Sequence, residues 1–377
     1  MNYIIKTIQG CNLSCIYCYE RSHNRLNLAM DLDDATGFMR KVYDYYRRNN
    51  PEEILAFHWH GGEPMLMGAR FFERIFEFQA AVLGSGMRWY NTIQTNLTLL
   101  TDAFIELLDK YRNSVALGIS FDFFGDDRVD QNNRNVNARV WRNVGRLKKS
   151  GLPINFLTMI TKGNVGRLGE IYDRVRSQDV CIRFNQVFDV PKKRPFGRSP
   201  VRLRNSQFSE AMQSITRRWM ADRGCRITID NAVRIGRKIL DPGSTHMCWY
   251  ERDCLEHHMA ICPDGTVFPC DSFYVKGFSY GNIFHDPYER ILASKPRRRL
   301  LKQQEKIHEA CRGCEFLEYC NGGCPTRAMV SMPRGRVRVR KDPMCAMHRA
   351  LFDMIGQHLV HNGLLEPDWT APRADGR

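Results

Sequence analysis

The sequence predicts an α/β chain, a partial TIM-like (β/α)6 barrel followed by a cysteine-rich C-terminal region. Three observations carry this. Short β-rich apolar runs alternate with amphipathic helical stretches through the first half of the 377 residues. The unusual residues of that half fall just after the strands, where parallel α/β folds build their sites. The 14 cysteines, finally, are clustered and not scattered.

The strand candidates are NYIIKTI (2–8), EILAFHWH (53–60), RWYNTIQT (88–95), SVALGISF (114–121), PINFLTMI (153–160) and VCIRFNQV (180–187). Helical patterns fill the intervals at 33–48, 69–83, 101–112, 137–150 and 165–177. Residues 1–190 read as one barrel core. A basic, proline-containing linker then leads to helical patterns at 206–221 and 231–240, so 191–247 reads as a bridge. Residues 248–345 are turn-rich with little apolar periodicity, and such a segment is expected to need metal to fold. A last helix, 346–360, and a polar tail occupy 346–377.

Composition narrows the class. Hydrophobic residues make up 43% and charged residues 26% of the chain, as in a soluble globular protein. No apolar run is long enough to span a membrane, and the start MNYIIKTIQG lacks the apolar core of a signal peptide. The expected compartment is the cytoplasm, with no membrane partner. Thiols there are kept reduced, so grouped cysteines read as metal ligands and not as a disulfide framework. The formal charge of +15 calls for an anionic partner. Its basic residues gather at 191–204, 294–302 and 334–341, runs that also serve as solvated surface.

The stretch GCNLSCIYCYE (10–20) places Cys11, Cys15 and Cys18 after the first strand. Spacing of this kind holds three corners of a [4Fe–4S] cube and leaves the fourth iron without a protein ligand. An open position is what a catalytic metal needs. A zinc site completed by a histidine such as His23 is the alternative.

CNLSCIYC, with Tyr17 before the third cysteine, resembles the signature of the radical S-adenosylmethionine (SAM) enzymes. HGGEP (60–64) resembles that family's loop for the methionine amino group of SAM. The resemblance implies that SAM chelates the fourth iron, and that one electron through the cluster cleaves it to a 5′-deoxyadenosyl radical that abstracts a hydrogen atom. Gly61, Gly62 and Glu63 match the methionine loop. Gln94, Thr95 and Asn96, and Ser120 with Asp122, match strand-end positions that line SAM; ordinary strand-end capping is the alternative for Gln94 and Ser120. His58 and His60 share a strand face and read as structural. SFDFFGDD (120–127) departs from the family's SLDG and is expected to touch the substrate side.

From 248 onward the spacing is C-x5-C-x15-C, then C-x2-C-x5-C-x3-C, then Cys345. Eight thiolates complete two four-cysteine sites, which suit zinc as well as iron–sulfur clusters. The arrangement, with CPDGTVFPCD (262–271), resembles the SPASM domain, which implies two auxiliary [4Fe–4S] clusters and three clusters in all. By that resemblance Cys248, Cys254, Cys270 and Cys324 hold one and Cys311, Cys314, Cys320 and Cys345 the other. Cys181, Cys225 and Cys262 remain, each read as a small buried hydrophobe. Asp271 matches the position of a candidate catalytic base in sulfatase-maturing relatives; a carboxylate that only fixes the cysteine loop is the alternative.

The resemblance implies an oxidoreductase that modifies a ribosomal peptide or protein after translation. FHWHGGEP and SFDFFGDD lean toward a RiPP-type peptide maturase forming a cyclophane or thioether crosslink. The alternative is an anaerobic sulfatase-maturing enzyme that makes formylglycine from Cys or Ser. An RNA-modifying enzyme is the remote alternative, its affinity falling steeply with salt. No winged-helix module precedes the first strand, so leader recognition is expected to fall to the bridge or a separate protein. A basic face is expected to dock an acidic flavodoxin or ferredoxin as electron donor.

Overall fold

The computed structural model describes residues 1–20, 28–83, 86–187, 199–244, 248–274, 277–331 and 337–366. His23, most of the 191–204 basic run, part of the 334–341 run and the end of the C-terminal tail lie outside them.

The first half alternates as the hydrophobic periods require: β1 (Asn2–Ile8), α1 (Leu32–Asn49), β2 (Ile54–Gly61), α2 (Ala69–Leu83), β3 (Arg88–Thr95), α3 (Asp102–Lys110), β4 (Val115–Ser120), α4 (Asn137–Lys149), β5 (Ile154–Ile160), α5 (Leu168–Val175) and β6 (Val180–Gln186). Helix starts are capped locally. The Asp31 carboxylate accepts the Asp34 N–H at 3.0 Å, and Thr101 caps the Phe104 N–H. α6 (Asn205–Ala221), β7 (Thr228–Ile229) and α7 (Asp230–Leu240) follow, matching the two expected bridge helices.

β1 to β7 pair in parallel, in chain order, in an open sheet. Trp59 on β2 packs edge-on against Phe71 and Phe72. Period two therefore turns His58 and His60 to the opposite, concave face. The same parallel order brings the ends of β1, β2, β3 and β4 to one rim.

Two features depart from expectation. The cysteine-rich region does not stand apart from the sheet. Its strand β8 (His258–Ile261) pairs in parallel with β1, then β9 (Thr266–Phe268) and β10 (Gly281–Asn282) continue antiparallel, giving ten strands. Nor is that region turn-rich throughout, because residues Lys295–Ala310 form a helix. Ser294 caps it and Pro296 lies in its first turn, so the basic run at 294–302 is a helix face. Of the three leftover thiols Cys262 is buried, while Cys181 and Cys225 are half-buried. A final helix, Cys345–His361, packs on α6 and α7.

Candidate functional site

The rim is drawn together by a close approach of two backbones. The Gly62 N–H donates to the Ile8 carbonyl at 2.9 Å and the Glu63 N–H to the Gly10 carbonyl at 3.0 Å. A Cβ at Gly62 would lie 1.8 Å from the Gly10 carbonyl oxygen, so only glycine lets the loop after β2 lie against the loop bearing Cys11. Glu63 is 1% exposed and fully engaged. Its carboxylate accepts from Thr95 Oγ1 at 2.6 Å, from the Met65 N–H at 3.0 Å and from the Asn96 N–H at 2.7 Å. Asn96 in turn donates to Asn12 at 2.9 Å and to the Cys11 sulfur at 3.8 Å. Gln94 and Ser120 meet each other at 2.8 Å, half-buried side by side. Glu63, Thr95 and Asn96 thus form one hydrogen-bonded unit with the cysteine loop.

Tyr17 and Asp122 form a second unit. The tyrosine hydroxyl donates to Asp122 at 2.5 Å and accepts from Arg128 at 2.7 Å, and the Asp122 carboxylate also takes the Met159 N–H at 3.0 Å. Arg128, 7% exposed, brings a buried positive charge that acts on Cys15 and Cys18.

The thiols fall into three neighbourhoods. Cys11, Cys15 and Cys18 act on one another, and burial pushes the Cys11 thiol up to about 12 and Cys15 up to about 11. Cys254 feels Cys248, Cys324 and Cys270. Hydroxyls link two of these directly: Cys270 Sγ meets Ser272 Oγ at 3.3 Å, Ser272 meets Thr326 at 3.0 Å, and Thr326 meets Cys324 Sγ at 3.2 Å. Cys320 feels Cys345, Cys311 and Cys314. Among the described residues no three His, Cys, Asp or Glu side chains form a closed shell for a single metal ion.

Residues 5–175 match the Radical SAM superfamily model, and residues 248–315 match SPASM, an iron-sulfur cluster-binding domain. The chain is a radical SAM protein with a SPASM domain. Its cofactors are SAM and [4Fe–4S] clusters, three for this pair of domains. The radical SAM/SPASM chain is 26% identical over 328 residues to the cysteine-type anaerobic sulfatase-maturating enzyme of Clostridium perfringens, covering 84% of this chain and 86% of that one. It is 26% identical over 323 residues to the serine-type enzyme of Klebsiella aerogenes, covering 84% and 77%. Its fold is that of native anSMEcpe with bound AdoMet and Cp18Cys peptide, with a TM-score of 0.82, 22% identity and 97% and 99% of the two chains covered.

The residues of this radical SAM/SPASM chain fit such groups. Three neighbouring thiols supply soft ligands for one cluster and leave a corner open. Burial favours the neutral form of Cys11 and Cys15, so iron is the charge that would keep them as thiolates. The two glycines, Gly61 and Gly62, keep side chains out of the seam between the loop after β2 and residues 6–10.

Asp271 lies where the two domains of the radical SAM/SPASM protein touch. Its carboxylate accepts from Tyr19 Oη at 2.9 Å and from the Cys270 thiol at 3.2 Å. Burial works to raise its pKa while the His60 ring, the Lys6 ammonium and those two hydrogen bonds work to lower it, leaving it below its ordinary value; burial lowers the His60 pKa as well. Lys6 makes a buried ion pair with Glu20 and stands over the Tyr274 ring at 3.8 Å. His60 stacks on Tyr19, and its Nδ1 is buried without a hydrogen-bond partner.

Sequence reasoning missed Lys6, Tyr19 and Arg128. Lys6 interrupts the apolar run of β1 on the concave face, a signal that was legible. Tyr19 follows a cysteine directly. Nothing local marks Arg128, whose contact with Tyr17 spans 111 positions.

Two expectations about substrate are corrected. Phe121 and Phe123 of SFDFFGDD are buried, packed against each other at 4.6 Å and against Trp141 and Phe156. The two phenylalanines of that departure therefore belong to the core. In FHWH, His58 sits between Thr92 at 2.8 Å and Asn2 at 3.1 Å, and the Trp59 indole donates to Asn91. Phe121, Phe123, His58 and Trp59 are thus held by core contacts, and these four side chains carry no argument for a crosslinking peptide maturase.

Proposed function

We propose that this radical SAM/SPASM enzyme oxidises a side chain of a peptide or protein in the manner of the sulfatase-maturating relatives, converting a cysteine or serine to formylglycine. The observation that carries the reading is Asp271, a half-buried carboxylate at the meeting of the two domains that accepts the Tyr19 hydroxyl and directly follows a cysteine of the first auxiliary set. It is supported by relatives whose names specify cysteine-type and serine-type sulfatase maturation. The crosslinking reading loses the two sequence features that motivated it.

In this reading Cys11, Cys15 and Cys18 hold the SAM-binding cluster. Cys248, Cys254, Cys270 and Cys324 hold one auxiliary cluster, and Cys311, Cys314, Cys320 and Cys345 the other. Gly61, Gly62 and Glu63 shape the methionine end of the SAM site, and Thr95 and Asn96 brace it. Gln94 and Ser120 offer polar atoms to SAM, while Tyr17 and Asp122, tied to each other, support the loop from behind. When bound and reduced, the cluster and SAM supply the radical that removes a Cβ hydrogen from the substrate.

Asp271 then takes the proton from the substrate sulfur or oxygen. Tyr19 holds the carboxylate in place, and the Lys6 ammonium favours its ionised form. Cys248, Cys254, Cys270 and Cys324 would hold the auxiliary cluster that accepts the remaining electron, and the oxidised carbon would be released as an aldehyde, after hydrolysis where sulfur was present. An acidic flavodoxin or ferredoxin suits the +15 chain as the source of the starting electron.

The test is mass spectrometry of sulfatase-motif peptides carrying Cys or Ser, incubated anaerobically with SAM and reductant. Formylglycine is expected, trapped by a hydrazine. A product that has lost two hydrogens, resists hydrazine and shows an internal linkage on fragmentation would return the assignment to the crosslinking class.

A further inference from the structure

The charges hardest to account for by stability lie between the two auxiliary thiol sets. Asp342 is 3% exposed, yet its Oδ2 accepts the backbone N–H of Cys324 at 2.8 Å. Its Oδ1 accepts the Met344 N–H at 2.9 Å, and its own carbonyl accepts the Cys345 N–H at 2.9 Å. One residue therefore fixes a thiol of the first set and the turn that presents a thiol of the second.

Side chains following those same cysteines close on it. Arg327, three residues after Cys324, reaches the carboxylate at 2.7 Å and 3.1 Å. His348, three residues after Cys345, has Nε2 3.5 Å from Oδ2. Its Nδ1 meets the Tyr250 hydroxyl at 2.8 Å, two residues after Cys248. The Tyr250 carbonyl takes the amide of Asn321, the neighbour of Cys320, at 2.8 Å. The network begins and ends at both sets. Gly323 makes room for it: at φ 77, a Cβ there would lie 2.5 Å from Oδ2 of Asp342.

A buried carboxylate–guanidinium pair is expensive to desolvate, so its charge needs an account beyond the two N–H groups the carboxylate accepts. The charge of Asp342 acts on Cys324 of the first set and on Cys311, Cys320 and Cys345 of the second. In a low-dielectric interior such an effect is not screened away.

We propose that Asp342, braced by Arg327 and His348, is a positioning residue shared by the two auxiliary cluster sites and sets their reduction potentials together. This rests on the assignment of the two thiol sets as cluster sites.

The test is a redox titration of the anaerobically reconstituted full chain, following each auxiliary cluster by its electron paramagnetic resonance signal. Asp342→Asn removes a negative charge and should raise both potentials. Arg327→Gln should lower both, and Arg327→Lys should restore them toward wild type. Asp271→Asn, beside Cys270 alone, should move one. If Asp342→Asn takes up no iron, Arg327→Gln carries the same paired readout. A shift confined to one cluster, or to neither, in these variants overturns the proposal. Wild-type protein lacking two auxiliary signals and their iron overturns the site assignment itself, a separate and distinguishable failure.

Discussion

The hydroxyl of Tyr19 donates to the carboxylate of Asp271 across 2.9 Å, joining the residue after the third cysteine of the N-terminal loop to the residue after a SPASM cysteine 252 positions away. The contact sets the proposed base against the loop that carries the SAM-binding thiols. In the proposed reaction this hydrogen bond would keep the base in register with that loop.

Asp271→Asn separates the two steps. The variant should still cleave SAM to 5′-deoxyadenosine, while formylglycine formation drops about 100-fold, the usual scale of a general base. Measuring both products in one reaction decides it. Equal loss of the two would assign Asp271 to holding the cysteine loop. Tyr19→Phe should give the same pattern more weakly.

At Gly62 a methyl group has nowhere to go, because its carbon would stand 1.8 Å from the Gly10 carbonyl oxygen. Gly62→Ala should push the two loops apart and empty the N-terminal site only. Iron should fall from about twelve to about eight per chain, one four-iron cluster of three. Uptake of the full complement with normal SAM cleavage would show that the seam is not needed.

Glu63 holds three donors at once. Replacing it by Ala leaves Thr95 and the Met65 and Asn96 N–H groups unpaired in a buried place, at about 1–3 kcal/mol for each donor left unsatisfied. SAM binding should weaken at least tenfold with the cluster still present, as read by equilibrium binding to the reconstituted protein. Unchanged affinity would remove Glu63 from the SAM site.

Burial lowers the His58 pKa to about 4, with His258 and His60 adding repulsion. The ring is therefore neutral in the folded chain, while in the unfolded chain it protonates near ~6.5. Its contribution is complete above that value and is lost as pH falls toward 4, because the unfolded state then binds the extra proton. The loss should be on the order of 2–3 kcal/mol. Urea unfolding of the holoprotein between pH 7 and pH 4 should show a shallower acid slope in His58→Gln than in wild type. Identical slopes would rule out this ring as a source of acid sensitivity.

Much of this protein was determined by sequence alone. Period-two and helical patterning placed β1 to β6 and the intervening helices to within a few residues, because local burial dictates both. Cysteine spacing marked all eleven proposed ligands, since a cluster needs sulfur at short, set intervals. Only the tertiary structure decided the rest. It brought Cys324 to Cys270 through Ser272 and Thr326, laid β8 beside β1, buried Phe121 and Phe123 against Trp141 and Phe156, and closed Asp342 on Arg327 and His348. These are contacts between residues distant along the chain. They depend on which strands become neighbours and on where a buried charge finds its partner, and no local pattern of residues encodes either.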